Sequence, residues 1–423
     1  MASNLENDVD FISNMPDLVL QLILQSLPNT EEVVRTSILS TRWRYLWTSI
    51  PLFPSLNIDC DRVLNPSMTH QRAKKLEDFV SWALANETVD LDSFRLSCAA
   101  YFDMPMVWRW VNDAVTRKVK RLDLMVCTRD KDKRNMRAIV LPHCLVTSES
   151  LESLRLYIFT IVDALTLLKM CTLLQELCLI NCIGYSVLEI SHLKLKTLII
   201  HDRSRQRFSI GLVVSCPELV FFECAGLRIR DPFILKKVES LKTAVILPQC
   251  EFDRQYFCKI FARISHVESL SLDCSSIRYA SDLEGNFPKS FPNLKTLELT
   301  TTFETYDMKL LIRILTCSPN LESIHLIIHK VCYGSEYRES DRVETMRILS
   351  PCLKRVEFLA FETDKSRLEI AQLLLEHRNA LEKMVFSWCN EVDYHEKSTG
   401  TLNEVSKFHK ASSSVKLVNL LKK

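Results

Sequence analysis

A repeating apolar pattern constrains the fold of this chain more than any other feature. In each copy an apolar residue is followed, three and five positions later, by two more apolar residues, and successive copies begin 21 to 32 residues apart. Alternating apolar positions predict a short strand that buries one face. One unit of this size cannot bury that face alone, so the units must stack and share a core. Twelve copies begin at Leu91, Val119, Leu151, Leu174, Leu195, Leu219, Leu241, Val267, Leu294, Leu321, Leu353 and Leu381.

The interval between copies is typical of leucine-rich repeats, which run at about 20–29 residues. Three copies also end in cysteine, as the fuller repeat does, at 119–127, 174–182 and 381–389, whereas the copies at Leu219 and Leu241 are weaker. We therefore predict an α+β fold in which a short N-terminal helical module precedes an α/β solenoid. One strand per repeat should line the concave side of an arc or horseshoe, and a helix or irregular segment should return the chain. Polar insertions at 129–134 and 333–337 should be loops.

Composition excludes several classes of function. With 54 Lys and Arg against 52 Asp and Glu, the net charge of +2 argues against nucleic acid or membrane as the main partner. The six glycines are never closer than 15 residues, so glycine-rich nucleotide-binding loops are excluded. No apolar run approaches the roughly 18 residues of a membrane span, and the polar N-terminus is unlike a signal peptide. We expect a cytoplasmic and/or nuclear protein whose 16 cysteines, without a C-x-x-C pair, are free thiols that bind no metal.

Residues 11–56 do not carry the repeat, and their pattern favours three short helices. The first helix should run from residue 18 to 27 and stop before Pro28, with Pro16 at its first position. Ser13 or Asn14 can cap it. A second helix should start near Thr30.

The third helix of this module should be capped by Ser40, with Trp43, Leu46 and Trp47 on one face. The apolar residues of the first helix cover an arc of about 240°, at about 100° per residue. A helix that packs only on its own core needs a stripe of about 100°. The excess suggests that a partner chain covers a second side of this helix. The alternative is that the module packs on the end of the repeats as their cap.

The N-terminal residues closely resemble a plant-type F-box, over 10–17 (Asp-Phe-Ile-Ser-Asn-Met-Pro-Asp) and over 33–47. An F-box followed by degenerate leucine-rich repeats is a frequent plant combination. The resemblance implies docking on a Skp-type adaptor and, through it, on a cullin ubiquitin ligase. Met15 stands where the family usually has Leu, and Thr41 where Lys is common. The residues that the resemblance places in or near the adaptor interface are Met15, Pro16, Leu20, Ile23, Leu24, Val33, Ser40, Trp43 and Trp47.

The C-terminal part is similar to the FBD region that follows the repeats in many plant F-box proteins. The similarity lies in residues 350–358, in a helix-period stretch that includes Leu368 and Leu375, and in residues 381–386. The chain then divides into an F-box helical module (8–56), a linker and capping helix (57–90), degenerate repeats (91–345) and FBD-like final repeats with a cap (346–420). Residues 57–69 should form the linker and Leu76 to Leu84 the helix, while 412–414 and 417–423 should fray.

One cluster of charge is a candidate binding site. The segment from residue 117 to 137 contains nine Lys and Arg but only three Asp. Such a patch can receive an acidic target, a phosphorylated segment or an inositol polyphosphate, although no residue singles out that last ligand. A solvated repeat edge is the alternative. The nine are Arg117, Lys118, Lys120, Arg121, Arg129, Lys131, Lys133, Arg134 and Arg137.

No constellation of residues predicts catalysis or a resident cofactor. His325 and His329 are four apart but fall on a predicted strand and its exit, where that spacing spans about 13 Å. Cys178, Cys224 and Cys274 lie in or beside predicted strands, where packing explains them. The resulting hypothesis is a non-catalytic substrate receptor that brings an unknown target protein to a ubiquitin ligase. The alternatives are a repeat protein that binds partners without ligase function and an enzyme built on repeats.

Overall fold

The computed structural model divides the chain into two compact units, residues 1–184 and 185–423, hereafter unit 1 and unit 2. It describes residues 12, 15–27, 32–33, 36, 39–46, 55–59, 70–85, 90–98, 104–126, 141–158, 170–182, 187–202, 210–248, 254–273, 288–301, 313–328, 352–361, 365–376, 380–388 and 391–421.

Unit 1 begins with helices and continues with five parallel strands. The helices are α1 (Asp17–Gln25), α2 (Trp43–Leu46), α3 (His70–Leu84), α4 (Met104–Thr116) and α5 (His143–Val146). The strands are β1 (Ser55–Asp59), β2 (Ser93–Cys98), β3 (Arg121–Val126), β4 (Ser153–Ile158) and β5 (Glu176–Ile180). Each strand pairs in parallel with the next strand in this list.

Unit 2 contains two parallel sheets. Its strands are β6 (Val187–Ser191), β7 (Thr197–His201), β8 (Ile210–Ser215), β9 (Phe221–Ala225), β10 (Ile229–Lys236), β11 (Thr243–Leu247), β12 (Ser269–Asp273), β13 (Thr296–Thr301), β14 (Ser323–Ile328), β15 (Arg355–Leu359), β16 (Lys383–Trp388) and β17 (Lys416–Leu421). The helices are α6 (Arg254–Arg263), α7 (Lys365–Glu376) and α8 (Glu391–Ser406). The main sheet has the order β7-β9-β11-β12-β13-β14-β15-β16-β17, and a small sheet has the order β10-β8-β6.

The predicted strands and fold class are confirmed. All twelve predicted strands form, and each begins two residues after the first apolar residue of its copy, from Leu91 before β2 to Leu381 before β16. The second and third apolar positions of each copy point into the core, as with Leu198 and Ile200 of β7. The intervening positions are mostly only partly buried, so the strands have the predicted two-residue alternation.

The return segments differ from the prediction in three consecutive repeats. The copies that begin at Leu174, Leu195 and Leu219 return through β6, β8 and β10 rather than through helices or irregular chain. Their intervals are short, at 21 to 24 residues, and most of the return in the similarly short interval of 23 residues after Leu151 lies outside the described residues. A strand advances about 3.3 Å per residue and a helix only 1.5 Å, so a short return is made more readily in extended chain.

Both ends of the repeat array contain an unpredicted strand. Asn57, Ile58 and Asp59 were assigned to a linker, but they lie in β1, which pairs with β2. The C-terminal residues 417–421 were expected to fray, but they lie in β17, which pairs with β16 along its whole length. Both expectations are wrong, because the backbone groups of these segments find partners in the neighbouring repeat. The capping helix is confirmed as α3, with Val80, Ala83 and Leu84 buried.

A row of charges marks the edge of the main sheet of unit 2 at which the strands begin. From β11 to β16 the residue before each strand alternates in sign, and from Glu268 onward each also bonds through its backbone N–H to the carbonyl of the preceding one, at 2.8–2.9 Å. Glu268 lies between two lysines, with 3.7 Å to Lys242 and 3.7 Å to Lys295. We call this set the charge row; it comprises Lys242, Glu268, Lys295, Glu322, Lys354 and Glu382.

Candidate functional site

The N-terminal helical module has a small core of its own. Leu20 and Leu24, four residues apart on α1, face Val33, Trp43 and Leu46, and all five side chains are buried. Met15 and Leu27 pack against this core at its margins. The spacing puts one stripe of α1 inside the module, and the remaining circumference of the helix is left for other contacts.

Short-range hydrogen bonds fix the ends of the helices in this module. The N–H of Trp43 bonds to Oγ of Ser40 at 3.3 Å. This confirms that Ser40 caps the predicted third helix of the module, which is α2 in the structure. Arg42 donates from Nε to Asp17 at 3.0 Å and from Nη2 to the carbonyl oxygen of Met15 at 2.6 Å. This contact joins the start of α2 to the start of α1. Pro16 occupies the N-cap position rather than the first helical position and makes no side-chain capping hydrogen bond, while the predicted caps Ser13 and Asn14 lie outside the described residues.

The other sides of α1 form an exposed apolar surface. Six of its nine residues are apolar, and only Leu20 and Leu24 are buried. The side chains of Leu18 and Leu22 are 74% and 65% exposed, respectively, and Val19 and Ile23 are each 39% exposed. Leaving a leucine in water forgoes about 1.5–3 kcal/mol relative to burial. We call these four residues, with the exposed Ile12 and Leu39, the apolar face.

The open face of the sheets carries polar residues that are bonded to one another. In unit 1, Nε of Arg95 lies 3.6 Å from Asp123, and burial raises the pKa of that carboxyl, against the effect of the nearby arginines. In unit 2, His201 lies 2.8 Å from Glu223. These side chains are fixed by their neighbours, which makes the sheet face a preorganised polar surface.

A buried carboxylate lies on the sheet face of unit 2. Glu357 of β15 is only 3% exposed and accepts hydrogen bonds from Nη2 of Arg355 at 2.7 Å and from Oγ of Ser387 at 2.6 Å. Its neighbour across the strand pair is His325, which has Glu298 on its other side. The Nδ1 atom of His325 is 4.0 Å from Glu298. Acidic and basic groups therefore alternate along this part of the face.

Most of the described residues of the predicted basic cluster make hydrogen bonds or ion pairs within unit 1. Arg117 is buried and donates to the carbonyl oxygen of Ala83 at 3.0 Å, and burial lowers the pKa of its guanidinium. Lys118 lies 3.6 Å from Asp90, and Lys120 lies 2.9 Å from Asp92. Arg121 is exposed at the start of β3. The remaining members, Arg129, Lys131, Lys133, Arg134 and Arg137, lie outside the described residues.

Most of the free cysteines in the described part of the chain are buried in the repeats, whereas Cys144 is partly buried and Cys352 is exposed. Burial raises the pKa of the Cys171 and Cys216 thiols to about 11, and complete burial raises that of Cys224 further. Cys178 is also buried, while Cys274 lies outside the described residues. Within the ranges described above, no three His, Cys, Asp or Glu side chains are grouped to hold a metal ion. A helix that could cross a membrane is likewise absent from those ranges.

Comparison with known families identifies both parts of the chain. The F-box domain model matches residues 12–55, and the leucine-rich-repeat domain model of At1g61320/AtMIF1 matches residues 84–418. The second match covers most of the 423 residues. The chain belongs to the plant F-box/leucine-rich-repeat family.

Several relatives of this F-box/leucine-rich-repeat protein match it over nearly its whole length. It is 24% identical to F-box/FBD/LRR-repeat protein At1g78750 of Arabidopsis thaliana, over 98% of this chain and 97% of the relative. It is 25% identical to F-box/FBD/LRR-repeat protein At5g22660 of the same plant, over 96% of each chain. F-box/LRR-repeat protein At3g03360 is 28% identical over 79% of this chain. The relatives named with FBD support an FBD-like character of this chain, and the bounds 346–420 stay a prediction.

The F-box residues predicted to contact an adaptor fall into two groups. Pro16 and Ile23 are exposed, and Met15 and Ser40 are partly buried, so all four have surface to offer. Leu20, Leu24, Val33 and Trp43 are buried in the module core, and Trp47 lies outside the described residues. The assignment of these nine residues to the interface stays a prediction. In the chain alone, the four buried side chains stabilise the packing of the helices and offer no surface to a partner. The sequence reasoning did not place Leu18, Val19, Leu22 or Leu39 in the adaptor interface, although the first three belong to the wide apolar arc of α1.

Proposed function

We propose that this chain is a substrate receptor of a Skp-cullin-F-box ubiquitin ligase. The apolar face docks on the Skp-type adaptor, and the open face of the repeat sheets holds a target protein. The observation that carries the proposal is that a segment matching the F-box model keeps Leu18 and Leu22 in water, although Leu20 and Leu24 of the same helix are buried in the core of the module. Exposed apolar patches on small modules are a mark of protein interfaces.

The receptor contributes proximity rather than chemistry in this proposal. It raises the effective concentration of the target near a charged ubiquitin carrier, and other subunits transfer the ubiquitin. The sheet face suits a protein target because its polar groups are preorganised by hydrogen bonds, as between His201 and Glu223. The target itself is to be found by proximity labelling in cells in which degradation is blocked.

The adaptor contact is tested by capture of a Skp-type adaptor on the immobilised full chain. The double variant Leu18→Asp, Leu22→Asp places two charges on the apolar face without touching the module core. Each leucine buried in an interface contributes about 1.5–3 kcal/mol, so the pair should lower the affinity at least about 100-fold. The matched control is Trp82→Asp, which replaces an exposed apolar residue of α3, outside the module, and should leave capture unchanged.

The buried residue Trp43 is unsuited to this test. Removing a buried Trp side chain costs about 3–5 kcal/mol, so Trp43→Ala would report unfolding of the module rather than loss of contact. If the double variant Leu18→Asp, Leu22→Asp captures the adaptor as well as the wild type does, the docking assignment is rejected. If the wild-type chain captures no Skp-type adaptor, the alternative of a repeat protein that binds partners without ligase function is favoured.

A further inference from the structure

A groove in unit 2 lies between β10 and α6, on the return segments and not on the main sheet. It encloses about 530 Å³, within the range of about 300–1,000 Å³ that is usual for binding sites. Its residues come from Phe233 to Leu235 of β10 and from Lys259 to Arg263 of α6. Neither the apolar face nor the polar groups of the sheet face contribute to it.

The groove follows from the change of return segment at this point of the chain. The returns before it are strands, β6, β8 and β10, which stand about 4.8 Å apart when hydrogen-bonded. The next return is a helix, whose diameter with side chains is about 10 Å. A helix next to a strand lies farther from it than a second strand would, and the groove opens at this junction of β10 and α6.

The lining of the groove is apolar at its base and basic at its rim. Phe233, Leu235 and Ile260 are buried and form the base. Ile234 is 38% exposed on one wall. Lys259 and Arg263 are exposed on the other wall, and no Asp or Glu is among the described residues that line the groove.

The two cations have a spacing that an extended peptide can match. Lys259 and Arg263 are four residues apart on α6, so their Cβ atoms are about 5–6 Å apart on one side of the helix. In an extended peptide, residues i and i+2 point to the same side about 6.6 Å apart. Two carboxylates in those positions can meet the two cations, and the residue between them points to the opposite wall, where Ile234 lies.

We propose that this groove binds an extended segment of a partner protein with an acid–apolar–acid pattern, in which a Leu, Ile or Phe stands between two Asp or Glu. The apolar side chain contacts Ile234, and the carboxylates pair with Lys259 and Arg263. Charge complementarity at the rim selects an acidic partner, and the apolar wall selects against a purely charged one. The site is independent of the docking on an adaptor proposed above.

The test uses a displayed library of random nine-residue peptides, selected on the full-length protein. Selected peptides are then measured by fluorescence anisotropy against the wild type and against Lys259→Glu, Arg263→Glu. The matched control, Lys194→Glu, Lys407→Glu, makes the same change of charge at exposed positions of unit 2 outside the groove. Both double variants should show the circular dichroism spectrum and melting temperature of the wild type, because all four side chains are exposed.

We expect selected peptides to carry the acid–apolar–acid pattern and to lose at least tenfold in affinity with the groove variant but less than twofold with the control. Replacing the central apolar residue of a selected peptide by Ala should also weaken binding at least tenfold. Equal losses with the two variants would show general charge attraction and overturn the proposal. Selection of peptides without the pattern, or of none, would overturn it as well, and so would tighter binding of a single-stranded oligonucleotide at the groove.

Discussion

The two glycines Gly226 and Gly400 should respond to the same substitution with opposite signs. Gly226 follows β9 with φ of +71°, a conformation that costs other residues about 1–2 kcal/mol. A methyl group there would overlap the carbonyl oxygen of Asp202. To avoid it the chain must strain two hydrogen bonds, from the N–H of Asp202 to Ala225 (2.9 Å) and from that of Gly226 to Leu247 (2.7 Å), at about 1 kcal/mol each. Gly226→Ala should therefore destabilise unit 2 by about 3–4 kcal/mol.

Gly400 provides the matched control for this prediction. It lies in α8, its backbone is helical, and apart from its chain neighbours and the nearby backbone of its own helix, a methyl group there would meet nothing within 4 Å. Gly400→Ala should stabilise the protein by about 0.5–1 kcal/mol, because alanine loses less backbone entropy than glycine when it enters a helix.

The assay is urea unfolding, combined with hydrogen exchange measured by mass spectrometry. Repeat proteins open locally, so exchange should be faster in the peptides that contain Asp202 and residue 226, whose N–H groups donate these two bonds, in the first variant and unchanged there in the second. If both variants shift the urea midpoint in the same direction, the stated role of the Gly226 conformation is refuted.

Two further predictions concern thiols and the buried carboxylate. Burial raises the pKa of the Cys171 and Cys216 thiols to about 11, so at pH 8 only about one in 10³ of these groups is a thiolate. Both cysteines should therefore react with Ellman's reagent far more slowly than the exposed Cys352. Labelling followed by peptide mass spectrometry checks this order, and equal rates would contradict it. Glu357→Ala should lower the free energy of unfolding by about 2–3 kcal/mol. Glu357→Gln should lower it by less, since an amide oxygen still accepts the hydrogen bond of Ser387. Equal losses in urea unfolding would show that this hydrogen bond does not contribute to stability.

The register of the repeats was predictable because the apolar side chains of each strand encode it directly. The strand β1 also carries the pattern, at Phe53, Leu56 and Ile58, but it follows so closely on the apolar helical module that it was assigned to the module and the linker. The strand β17 could not be found in this way, because Ser414 and Asn419 stand where apolar residues are expected. Its position is set by pairing with β16, a long-range interaction that the residues of β17 alone do not predict.

The candidate site was predictable as a helix but not as a surface. The composition of α1 indicated more apolar residues than one core needs, and the exposure of Leu18 and Leu22 agrees with that. Which stripe faces inward depends on where Val33 and Trp43 lie, and helical periodicity alone does not give the relative placement of three short helices. The groove beside β10 was also hidden, because it arises from a change in the type of return segment rather than from any motif.

The charge row has a consequence for how this array can change in length. Since the sign alternates from Lys242 to Glu382, the gain of a single repeat would set two like charges side by side, whereas the gain of a pair would restore the alternation. Each exposed contact is worth only a few tenths of a kcal/mol, as between Lys354 and Glu322 at 3.7 Å, so the bias is slight for any one event. Over many duplications it would favour descendants whose number of repeats in this segment differs by two.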